Sequence, residues 1–161
     1  MEGYMCFFED MTDLQHDKYE IGKSYTEKDK GKRFVIYDRL EDSLRNYHGE
    51  INDVIICIVK GSDDGRQIAD TVYEYIGRYE FKNITIIKAL SREFIIEYGL
   101  NLYGERLIRF LQGFKLTDEE KEKFRVKFGN YYREESTIDY YINENKNAYK
   151  EEKEKEKHIK L

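Results

Sequence analysis

"DVIICIV", residues 53–59, decides the fold. A strand with one wet face alternates apolar and polar residues, but here every position after Asp53 is apolar and most are β-branched. Such a run needs cover on both of its faces, so it reads as the centre of a sheet. Working outward, "NITIIKAL" (83–90), "GYMCFF" (3–8) and "RFVIYD" (33–38) supply further strands by their apolar and β-branched density. In "DKYEIGKSY" (17–25), Tyr19, Ile21 and Tyr25 fall on one face of an extended segment, opposite Lys18, Glu20 and Ser24. "RLEDSLRNYH" (39–48) instead places Leu40, Leu44 and Tyr47 on one helical face, with Gly49 as a stop. The stretch 68–81, "IADTVYEYIGRYEF", fits a helix through Ile68, Val72, Tyr75 and Ile76, and equally a hairpin through its β-branched residues and Gly77.

From Ser91 the period changes to that of a helix. Ser91 is a candidate N-cap, with Phe94, Ile95 and Tyr98 on the apolar face. Leu100, Tyr103, Leu107, Ile108, Leu111 and Phe114 continue a wide stripe. "TDEE" (117–120) has the form of a capping box opening a helix that carries Phe124 and Phe128. Ile138, Tyr141 and Ile142 belong to a last amphipathic helix, and a Lys/Glu tract follows from about residue 150. Strands first and helices after predict an α+β fold: a small mixed or antiparallel sheet in the N-terminal half, then a helical half. Residues 1–98 form the strand-rich core and 99–161 a helical extension within one compact domain.

Charge narrows the function classes. The chain carries 28 Lys and Arg against 33 Asp and Glu, interleaved, for a net charge of -5. Direct nucleic-acid binding needs a basic patch to replace phosphate counterions, and the interleaved signs suit a solvated surface instead, so no direct nucleic-acid binding is expected. No uninterrupted apolar run approaches the roughly 18 residues of a membrane span, so the expectation is a soluble protein of the cytoplasm of a host cell.

Gly22-Lys23-Ser24 ends like a phosphate-binding loop, but the position of that loop's first glycine holds Asp17, whose carboxylate repels phosphate. The segment after Ser24 has no apolar face for the required helix. "FFEDMTDLQHD" (7–17) gathers Glu9, Asp10, Asp13, His16 and Asp17, without the spacing of a calcium loop, and reads as a polar surface loop. Cys6 and Cys57 sit inside apolar runs and read as buried thiols, neither a disulfide framework nor a zinc site. No catalytic residue, cofactor or metal ligand is therefore assigned, and the reading leans away from an enzyme.

The chain contains 15 Tyr and 9 Phe. Tyrosine joins a large apolar face to a polar tip and is enriched at interfaces. Neighbours on a helix point about 100° apart, so in the pairs Tyr131–Tyr132 and Tyr140–Tyr141 one ring can pack inward while the other meets a partner. Asp118, Glu119 and Glu120 could steer a basic partner toward that surface. These seven residues are the candidate partner-binding site.

The order "GYMCFF", "DKYEIGKSY", "RFVIYDRLEDSLRNYH" (33–48), "DVIICIVKG" (53–61) and "KNITIIKALSREFIIEYG" (82–99) resembles a small domain of unknown function encoded widely by phages and prophages. The resemblance spans residues 3–98. Members usually carry a Gly–Phe–His–x–Cys segment before the helix, where this chain has "KRFVIYDRL" (32–40). The resemblance implies that Gly22-Lys23 shapes a turn at a strand end. Together with the lack of a catalytic constellation and the acidic, tyrosine-rich surface, it leads to the expectation of a phage or mobile-element accessory protein that binds and inhibits a host protein, with a nucleic-acid-binding defence nuclease of CRISPR type as the target. The alternatives are a divergent ADP-ribosyltransferase-like enzyme and a structural factor that self-associates, as a homodimer, through its C-terminal helices.

Overall fold

The computed structural model describes residues 1–27, 33–47, 53–68, 77–128 and 138–145. It is α+β, with an antiparallel sheet in the N-terminal half and helices in the C-terminal half. Two compact units are present, one of residues Met1–Asn46 with Asn52–Ser91, the other of Tyr47–Ile51 with Arg92–Leu161.

The sheet unit contains β1 (Glu2–Phe8), β2 (Ser24–Thr26), β3 (Phe34–Tyr37), the short helix α1 (Leu40–Ser43), β4 (Val54–Gly61), β5 (Arg66–Gln67), β6 (Arg78–Phe81) and β7 (Asn83–Ala89). The strand order is β2-β7-β4-β1-β3-β6-β5. The "DVIICIV" run is covered on both faces at its middle, where Ile56 and Cys57 project to opposite sides and are fully buried, while Val54, Ile55 and Ile58 are partly exposed. It is not the middle strand, however. That place belongs to β1, which pairs with β4 along its whole length, from Glu2↔Lys60 to Phe8↔Val54, and with β3 at Tyr4↔Tyr37.

Residues paired across antiparallel strands share a face, so the registers assign the core. Phe7, Cys57, Val59, Ile36, Phe81, Ile84 and Ile86 line one face, and Tyr19 closes over it from the loop after β1. The Tyr19 ring sits 5.1 Å from Phe7 and 4.9 Å from Tyr25. The turn "KGSDDGR" (60–66) packs against the Phe81 ring of this face. A Cβ on Gly65 would lie 2.2 Å from that ring and one on Gly61 2.4 Å from it. The turn is tied down by Asp64, which accepts from Ser62 Oγ and from the Lys82 N–H. Gly65→Ala therefore forces the buried ring or the turn to move, at an expected cost of about 1–3 kcal/mol. Chemical denaturation at unchanged m-value is the check, and a variant as stable as the parent would show that the turn yields freely.

Two further expectations need correction. Tyr19 is buried and Tyr25 partly so, but Ile21 is 52% exposed and does not share their face. Gly22 adopts a φ of +87° and donates to the Ile86 carbonyl at 2.7 Å, so the regular strand starts only after this turn, at Ser24. Tyr19 arrives from a separate small hairpin bridged at Thr12↔Lys18, and the turn between destroys the two-residue phase. In the ambiguous stretch 68–81, Arg78–Phe81 is strand β6, paired with both β3 and β5, while 69–76 lie outside the described residues.

The second concerns the helical unit, with α2 (Arg92–Leu100), α3 (Gly104–Gly113), α4 (Asp118–Phe128) and a helical stretch over 138–145. Helix α2 buries Ile95, Ile96 and Gly99 and leaves Phe94 48% exposed. Its inward face is set by Gly99, where a Cβ would lie 2.5 Å from the Phe110 ring: the bare glycine is where α3 comes closest. Tyr103, expected in the stripe, is 84% exposed, because the helices break before Gly104, whose φ is +60°. The stripe resumes with Leu107, Phe110, Leu111 and Phe114. Phe110 then stacks on Phe124 at 5.9 Å, and Phe124 on Phe128 at 6.2 Å.

Candidate functional site

The acidic part of the candidate surface opens α4. Thr117 and Glu120 form the expected capping box: the Glu120 N–H donates to Thr117 Oγ1 at 3.2 Å, and the Thr117 N–H donates to the Glu120 carboxylate at 2.9 Å. The same carboxylate accepts from Arg92 Nε at 2.8 Å and Nη2 at 2.7 Å. Arg92 in turn donates to the Lys115 carbonyl at 2.6 Å and lies 4.9 Å over the Phe114 ring. Glu120 thus joins the start of α2 to the start of α4, and its charge is committed inside the fold. Asp118 and Glu119 are exposed in the first turn of α4, where carboxylates oppose the helix dipole.

Burial by itself would push the Glu120 carboxyl up, but the hydrogen bonds from Arg92 and Thr117 together outweigh it and hold the group below the ordinary glutamate range. A carboxyl lowered in the folded state contributes stability that is present above its unfolded pKa and lost as pH falls through its folded pKa. Glu120→Gln should therefore lower stability near neutral pH by about 1–2 kcal/mol. Thermal melts at several pH values should show the gap to the parent closing in acid, below the usual carboxylate range. A gap independent of pH would mean that the charge plays no part.

The aromatic part lies elsewhere in the same unit. Tyr140 is 57% exposed and Tyr141 partly buried, with ring centroids 5.3 Å apart in an edge-to-face arrangement. Ile138 and Ile142 are buried on the side of the helical stretch away from Tyr140. Tyr131 and Tyr132 lie outside the described residues. Asn145 meets Leu116 just before α4, while Asn143 accepts from Arg125 in the second half of α4 at 3.0 Å. The two segments therefore run in opposite senses, and the tyrosine pair lies toward the Phe128 end. Since eleven helical residues span about 16 Å, the exposed carboxylates and the exposed tyrosine form two separate patches.

Asn145 is the residue of this region that the sequence did not single out. Its amide Nδ2 donates to the Leu111 and Phe114 carbonyls at 2.7 and 2.6 Å, and its Oδ1 accepts from the Leu116 N–H at 2.9 Å. All four groups of this side chain–backbone clamp are buried at the end of α3. Polar residues near a helical apolar stripe usually face water, so no local signal marks this one.

The other candidates resolve into structural roles. Gly22 and Lys23 shape a turn: the Gly22 N–H is given to Ile86, the Lys23 N–H to the Glu20 carbonyl, and the Lys23 ammonium pairs with the Glu20 carboxylate. These amides do not converge on an empty space as those of a phosphate cradle do. In the loop after β1, Asp13 accepts from the Gln15 and Asp17 N–H groups and from the Tyr19 hydroxyl at 2.9 Å. Asp10 is held low first by the hydrogen bonds from Thr12. Cys6 pairs with Ile56 and Met5 with Cys57, which puts the two buried thiols on opposite faces. Burial pushes both up, Cys57 to about 11, away from the reactive thiolate.

Among the described residues no group of three or more His, Cys, Asp or Glu is placed to hold a metal ion, and no helix is long and apolar enough to cross a membrane. Comparison with protein-family models, with curated proteins and with solved structures finds no match.

Proposed function

We propose that this protein acts by binding another protein, through an aromatic anchor on its helical unit. The observation that carries the reading is the Tyr140–Tyr141 pair. The two rings meet edge-to-face and Tyr140 remains 57% exposed, so an aromatic surface is offered with its ring supported on one side. Asp118 and Glu119, on a second patch, and the net charge of -5 favour a basic partner by raising its rate of encounter. The partner we infer is a host defence nuclease of CRISPR type, whose nucleic-acid groove is basic, and the action is inhibition. The phage or mobile-element setting rests on the resemblance of residues 3–98 to phage-borne domains.

The test mixes the purified protein with a panel of purified CRISPR-type nucleases carrying guide RNA, and reads DNA cleavage and complex formation on gel filtration. Expected are a stable complex, reduced cleavage, and an affinity weakened about ten- to a hundredfold by Tyr140→Ala at unchanged melting temperature. Asp118→Lys with Glu119→Lys should mainly slow association. A panel with neither complex nor inhibition overturns the nuclease reading, and a complex indifferent to Tyr140→Ala moves the surface off the tyrosine pair.

A further inference from the structure

We draw no further inference here: the strongest candidate, the acidic hairpin loop over residues 9–20 with its exposed Leu14, is a cluster of carboxylates several of which already serve as turn and side-chain acceptors, and nothing in the structure shows what covers it.

Discussion

Ile56→Asp is expected to abolish the cooperative unfolding transition. Ile56 is fully buried on β4, and its strand is hydrogen-bonded to β1 on one side and β7 on the other. An isolated carboxylate there has no partner, and its burial costs several kcal/mol even after relaxation. That is comparable to the roughly 5–15 kcal/mol that holds a domain of this kind together. Val54→Asp, at the partly exposed start of the same strand, should be milder and leave a measurable melt. Circular dichroism on both variants distinguishes them. A cooperative melt for Ile56→Asp within a few degrees of the parent would show that this position can reach water.

The second large effect belongs to Asn145. Truncation to alanine leaves the Leu111 and Phe114 carbonyls and the Leu116 N–H without the partner they have now. A buried polar group deprived of its partner costs about 1–3 kcal/mol, and three share the loss, so a destabilisation of roughly 3 kcal/mol or more is expected. For a chain of this length that corresponds to a fall in Tm of about 6–12 °C. Asn145→Asp, which keeps the acceptor but turns both donors into a charge facing two carbonyls, should be at least as damaging. Asn143→Ala, which removes an exposed bond to Arg125, serves as the control and should cost little. If Asn145→Ala melted like that control, the clamp would be idle in solution.

These two residues also show what the sequence could and could not disclose. Ile56 was legible because a continuous apolar run permits only one solvation state, cover on both sides. The capping box at Thr117 and Glu120 was legible because all its bonds close within four residues. Asn145 acts across 29 to 34 residues of chain, and nothing near it in sequence announces that. Strand β6, "RYEF", carries two charged residues in four, and its identity comes from pairing with β3 and β5 rather than from its own propensity. The inward face of α2 was misread because apolar periodicity gives weight to Phe94 and none to Gly99, although contact distance is set by the smaller residue. Of the candidate binding residues, Glu120 could be recognised as a cap from its spacing, but its bidentate pairing with Arg92, 28 residues away, could not.

The position of β1 carries a kinetic consequence. The middle strand of the sheet precedes the others in the chain, and its full-length neighbour β4, which ends by pairing Lys60 with Glu2, follows only after β2 and β3. Nucleating that pair means closing a loop of about fifty residues before any ladder bond rewards it, so the sheet should assemble on the slow side of the range for domains of this size. Until Gly61 has left the ribosome, "GYMCFF" stands as an apolar segment lacking its principal partner. In the helical unit the capping box and the Phe110–Phe114 contact close within a few residues, while the Glu120–Arg92 pair and the Asn145 clamp close over 28 to 34, still less than the span from β1 to β4.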